Sequence, residues 1–155
     1  MISSIRHVGI VVSNLETSLR FYRDLLGLPV YKRCLEESTF IAELTGIPGV
    51  RLEWVKLMIP KGGLIELLQY HSHPDSAQPE NRPSNRLGCS HIAVTVGDLA
   101  RLYDNLLDAG YPCKSAPLLS PDGKVRIVYA HDPDGTILEL IEDVQPESAA
   151  AGVPR

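Results

Sequence analysis

Two histidines and two glutamates occupy matching places in the two halves of this 155-residue chain: His7 with Glu66, and His91 with Glu139. Glu66 stands between Ile65 and Leu67, and Glu139 between Leu138 and Leu140. A carboxylate in the middle of an apolar strand is costly to bury unless it is paired or bound to a metal. Two neutral imidazoles and two carboxylates would suit one octahedral or five-coordinate divalent ion with positions left open for water. Nitrogen and oxygen donors point to Zn, Ni, Co, Mn or Fe(II) more than to Ca or Mg. Any one of these residues alone reads more readily as structural or solvent-facing. Their recurrence in pairs carries the case.

The recurrence is measured by the offset between the halves. IRHVGIVVSNLETSLRFYRDLLGLPV (5–30) lies over CSHIAVTVGDLARLYDNLLDAGYPC (89–113), so His7 matches His91 and Leu15 matches Leu99 at an offset of 84. One residue is lost within the helix, and Gly27 matches Gly110 at 83. GGLIELLQY (62–70) lies over GTILELIED (135–143), pairing Glu66 with Glu139 at 73. The first half is therefore eleven residues longer, and the surplus falls around 38–50, read as an insertion or lid.

Each half must position its His and Glu with the same elements. IRHVGIVV alternates like a strand and ends before a plausible N-cap, Asn14 or, in the second half, Asp98. Leu15, Leu19, Tyr22 and Leu26 recur at helical spacing, as do Leu99, Leu102, Leu106 and Leu107. Gly27 and Gly110 suit the left-handed residue that ends each helix. Strands are expected near 30–34, 51–59 and 64–70, then near 112–116, 125–130 and 136–142. The plan is β-α-β-β-β twice: a first module over 1–71, a linker over 72–88, a second module over 89–143 and a flexible tail over 144–155.

Composition narrows the function classes. A net charge of −4 without a basic run disfavours nucleic acid as a partner. Cys34, Cys89 and Cys113 are odd in number, far apart and without a C-x-x-C pair, which fits a reducing compartment. No apolar run is long enough to span a membrane and no signal peptide is visible, so the expected location is the cytoplasm. Neither a phosphate loop nor a G-x-S-x-G elbow occurs.

The segments HVGIVVSNLETSLRFYRDLLGL (7–28), LIELLQY (64–70), HIAVTVGDL (91–99) and HDPDGTILELIE (131–142) resemble the vicinal-oxygen-chelate superfamily. That group holds glyoxalase I, methylmalonyl-CoA epimerase, extradiol dioxygenases and the bleomycin- and fosfomycin-resistance proteins. The resemblance implies an α+β fold in which two tandem βαβββ modules form a cup-shaped mixed sheet, with His7, Glu66, His91 and Glu139 holding one divalent metal on its concave face. Glu at position 66 looks like glyoxalase I, whereas epimerases commonly have Gln there. The implied activity is that of a lyase or isomerase moving a proton beside a carbonyl of a small oxygenated substrate, with Glu139 or Glu66 as the base. An Fe(II) dioxygenase would use two histidines and one carboxylate and need further acid-base histidines, for which His71, His73 and His131 are the candidates. A small-molecule-binding protein of the resistance type is the third reading, disfavoured by the intact ligand set. A homodimer is expected, because paired modules can close on themselves or on a partner.

Two further groups are candidates for substrate contact. Arg126 shares a strand face with Val128 and Ala130 and could hold an anionic group through its fork, or face solvent. Glu53 could serve as a second acid-base group, although a surface carboxylate is the plainer reading.

Overall fold

The computed structural model describes residues 2–77 and 80–144. From residue 145 on, the expected flexible tail lies outside them. The described residues fall into two compact units: one runs up to Pro83 and includes Asp132–Thr136, and the other holds Ser84–His131 and the chain from Ile137.

The first unit carries β1 (His7–Val11), helix α1 (Leu15–Leu19), β2 (Val30–Glu36), helix α2 (Thr39–Thr45), β3 (Leu52–Met58) and β4 (Leu64–Tyr70). The second carries β5 (Ile92–Thr95), helix α3 (Leu99–Asp108), β6 (Leu118–Leu119), β7 (Val125–His131) and β8 (Ile137–Asp143). Each builds a four-stranded mixed sheet, ordered β1-β4-β3-β2 and β5-β8-β7-β6. In both, the first strand runs parallel to the last and the others pair antiparallel. This is the α+β architecture of two β-α-β-β-β modules that the repeat implies.

The helix starts form as the sequence indicates. Asn14 Oδ1 accepts from the Thr17 N–H at 2.9 Å, and Asp98 Oδ1 from the Arg101 N–H at 2.9 Å. Leu15, Leu19, Phe21 and Tyr22 are buried, as are Leu99 and Leu106; each such side chain contributes roughly 2 kcal/mol through apolar burial. The residue gained by the first helix relative to the second has a structural cause. Arg20–Leu25 is a π-helical segment, in which the Leu26 N–H reaches back five residues to the Phe21 carbonyl at 3.0 Å. A π-bulge absorbs one inserted residue without breaking the helix, while α3 has no π segment.

One expectation needs revision. The strand foreseen near 112–116 is instead the two-residue β6 at Leu118–Leu119, with only an isolated bridge at Cys113. Pro117 interrupts pairing there, because it lacks an N–H and restricts the residue before it. The surplus at 38–50 contains a capped helix. Ser38 caps α2, Gly46 ends it with φ 70°, and Ile41 and Val50 pack with Leu52 and Trp54. Among the described residues no helix is long and apolar enough to cross a membrane.

In the turn after Asp132, Gly135 adopts φ +83°, and a Cβ there would run into the backbone carbonyl of Glu80. The Gly135→Ala variant is expected to lose about 2 kcal/mol in urea unfolding. Unchanged stability would show that the 80–82 segment yields at no cost.

Candidate metal centre

The parallel pairing of β1 with β4 sets Gly9 opposite Glu66. His7, two residues earlier, shares that face, and its Nε2 meets Glu66 Oε2 at 3.0 Å. The second sheet repeats the arrangement. Ala93 lies opposite Glu139, and His91 brings Nε2 to 3.1 Å from Glu139 Oε2. Each glutamate thus faces a residue with little or no side chain, which leaves room for the imidazole to lean across. At Gly9 a Cβ would already stand 3.2 Å from Leu68 Cδ1. The four expected ligands stand as two His–Glu pairs, one in each unit. Among the described residues no group of three or more His, Cys, Asp or Glu side chains forms a metal-binding cluster.

Antiparallel pairing adds one more polar group to each face. Lys56 lies directly opposite Glu66, and Tyr129 directly opposite Glu139. These two are themselves 73 residues apart, the same offset as the glutamates. Lys56 Nζ stands 3.3 Å from Glu66 Oε1, so the carboxylate presents one oxygen to His7 and the other to Lys56. The Tyr129 hydroxyl approaches His91 Nδ1 at 3.4 Å, with ring centroids 5.1 Å apart. Burial first, then the Glu139 charge, raises the Tyr129 phenol above its ordinary value and keeps it protonated.

Glu53 and Arg126, the candidates for substrate contact, lie elsewhere on the same strands. They too are repeat equivalents, but an odd spacing of three residues puts them on the other face of β3 and β7. Glu53 is held by Arg33 at 2.7 Å and His71 at 2.9 Å, and Arg33 reaches Glu16 of α1 at 2.7 Å. Burial pushes the Glu53 carboxyl up, yet the hydrogen bonds from Arg33 and His71 outweigh it and hold the group below its usual value. Arg126 is exposed and faces Glu142 at 3.7 Å. Glu53 and Arg126 are thus both engaged in ion pairs on that face, Arg126 at the surface. His73 bonds Ser72 Oγ through Nδ1 at 2.7 Å in an exposed stretch, and His131 is buried at the end of β7.

Imidazole nitrogen and carboxylate oxygen form a donor set that fits a divalent transition ion. His91 is also oriented for ligation, since its Nδ1 faces Ser90 Oγ at 3.2 Å as well as Tyr129, leaving Nε2 toward Glu139. His7 differs, for its Nδ1 is buried without a hydrogen-bond partner. A cavity of about 460 Å³ opens in the second unit, lined by Leu118, Leu119, Pro121 and Ile127 together with Tyr129 and Glu139. Its size and apolar walls suit a small molecule.

The chain belongs to the Glyoxalase/Bleomycin resistance protein/Dioxygenase superfamily, whose family model matches residues 4–140. It is 30% identical to the uncharacterized protein YwkD of Bacillus subtilis over 145 residues, covering 92% of this chain and 98% of that one. A probable lactoylglutathione lyase of Vibrio cholerae is 26% identical over 148 residues, covering 96% of each chain. Among solved structures, a glyoxalase family protein from Bacillus cereus shares the fold with a TM-score of 0.85 at 23% identity, covering 94% of this chain and 97% of its own.

Proposed function

We propose that this protein is a divalent-metal-dependent lyase or isomerase of the glyoxalase or epimerase type, working as a homodimer on a small oxygenated substrate. The observation that carries the reading is the recurrence of one His–Glu pair, at 3.0 and 3.1 Å, on the equivalent face of each sheet. The relatives described as probable lactoylglutathione lyases support the same class. In this reading His7, Glu66, His91 and Glu139 hold one Zn, Ni, Co, Mn or Fe ion. The bound ion would supply a Lewis acid that polarises a substrate carbonyl and acidifies the neighbouring C–H.

The protein's own groups then move the proton. Glu139 is the better base of the two carboxylates. Its Oε2 faces His91, and its strand neighbour is the neutral Tyr129 rather than a lysine. Glu66 is engaged at both oxygens, by His7 and by Lys56. Glu139 accepts the substrate proton and returns it to the adjacent carbon in a glyoxalase-type reaction, whereas in an epimerase a second acid must deliver a proton to the opposite face. Tyr129 steadies the His91 ring, and the apolar walls beside Glu139 exclude water from the substrate carbon.

The test is the metal content of protein purified without chelator, beside the His91→Ala and Glu139→Ala variants. About one divalent ion per site, lost in both variants, is expected. No ion as purified and none taken up on reconstitution would leave a small-molecule-binding protein as the function. The Lys56–Glu66 ion pair favours one further reading, an Fe(II) dioxygenase using His7, His91 and Glu139 with Glu66 withheld. Iron in the purified protein, with substrate-dependent O₂ consumption, would establish that reading in place of the lyase.

A further inference from the structure

The face of the first sheet that carries His7 and Glu66 also carries a pair of lysines that the proton-transfer chemistry leaves unused. Lys32 of β2 lies directly opposite Lys56 of β3. Like charges placed across from each other destabilise a sheet, so the pairing works against the fold. Both ammonium groups lie over one indole, with Nζ of Lys32 and of Lys56 at 5.5 and 4.7 Å from the Trp54 ring centroid. The ring itself is fixed. Its Nε1 donates to Glu36 at 3.0 Å, and Ile41, Val50 and Leu52 pack around it.

The quadrupole of the indole attracts the two ammonium groups without neutralising them. Lys56 directs one of its three donors to Glu66, and Lys32 has no ion pair among the described residues. Glu36 and Glu66 are the carboxylates on this face; Glu36 is taken by the indole N–H, and Glu66 is shared with His7. Two cations therefore lie within 5.5 Å of one fixed aromatic ring, with donors to spare.

We infer that Lys32, Lys56 and Trp54 form an anion subsite that docks a carboxylate or phosphate group of the substrate. The inference rests on the reading of His7 and Glu66 as half of the catalytic site, and it names the substrate class. Lys56 is the strand neighbour of Glu66, about 5 Å away between backbones, so in that reading the anionic group docks beside the Glu66 carboxylate. The substrate is then a small carbonyl compound that carries its own negative charge, and neutral aldehydes and ketones are poor ligands.

Trp54 is the only tryptophan in the chain, so its fluorescence reports the subsite independently of turnover. The experiment titrates the full-length protein with malonate, with inorganic phosphate and with neutral malonamide, and measures metal content on the same samples. A saturable change with malonate or phosphate and none with malonamide is expected, and whichever anion binds more tightly identifies the carboxylate or phosphoryl source. Lys32→Met and Lys56→Met should each weaken that binding at least about tenfold, while Lys32→Arg retains it. No saturable response to either anion, or a response that survives in both Met variants, overturns the subsite. The two readings fail separately. Bound metal with no Trp54 response removes the subsite and leaves the lyase, whereas a lysine-dependent response in protein that takes up no metal supports the subsite and removes the lyase.

Discussion

Replacing Glu139 with Gln is expected to slow proton removal from substrate by about a thousandfold, the usual worth of a positioned general base. The amide keeps an oxygen that can face His91 but cannot accept the proton. Glu66→Gln should cost far less in the proton-transfer step, because Glu66 is engaged by His7 on one oxygen and by Lys56 on the other. The measurement is deuterium incorporation from D₂O into the carbon beside the carbonyl of a hemithioacetal or acyl thioester, followed by NMR at matched metal loading. Equal losses in the two variants would show that the carboxylates share the proton. A larger loss in Glu66→Gln would reverse the assignment, and no loss in either would sink a carboxylate-base mechanism.

The second large effect concerns stability. The Asp132→Ala variant is expected to unfold about 3 kcal/mol more easily than the parent, read from urea denaturation. Asp132 is buried in the first unit, where its Oδ2 accepts from the Tyr22 hydroxyl at 2.8 Å. Its Oδ1 accepts from the N–H groups of Thr136 at 2.7 Å and Asp134 at 3.0 Å. Alanine strands three donors, one of them the hydroxyl of a tyrosine with no exposed surface. Tyr22→Phe removes one donor and leaves only Asp132 Oδ2 without it, Oδ1 keeping both N–H groups, and should cost less, about 1.5 kcal/mol. If Asp132→Ala is no worse than Tyr22→Phe, the backbone N–H groups have found other acceptors.

The same carboxyl makes a prediction about pH. Burial is the strongest influence on Asp132 and raises it above the ordinary aspartate value of 3.8, outweighing the hydrogen bonds from Tyr22, Thr136 and Asp134. A group raised in the folded state holds its proton more tightly there than in the unfolded chain. Its contribution to stability is therefore full below the unfolded value and declines as pH rises through the folded one. Asp132→Asn does not titrate, so the stability of the parent relative to this variant should fall as pH rises from below 3.8 toward neutrality. A difference that grows with pH would mean that the hydrogen bonds to the ionised form dominate.

Much of this was legible because the chain repeats itself. The offsets of 84 and 73 identified the His and Glu of each module without any structural information, since strand alternation and apolar neighbours fix which residues can share a face. The change from 84 to 83 within the helix counted the extra residue that the π segment of Arg20–Leu25 absorbs. Asn14, Asp98, Gly27 and Gly110 announced helix ends through local chemistry that needs no distant partner.

What the sequence could not decide was which face of β3 and β7 turns toward the glutamates. Period-two alternation separates Glu53 from Lys56 and Arg126 from Tyr129, but it is indifferent to which set faces the ligands. That choice belongs to the hairpin register. Met58 opposite Leu64 and His131 opposite Ile137 bring Lys56 to Glu66 and Tyr129 to Glu139. A shift of one residue would have exchanged the faces. The lysine pair over Trp54 is tertiary for the same reason, since Lys32 and Lys56 meet only because β2 and β3 align in that register. Local propensity and repetition thus determined most of the elements and which histidine pairs with which glutamate, whereas pairing between strands distant in sequence decided which other groups stand beside them.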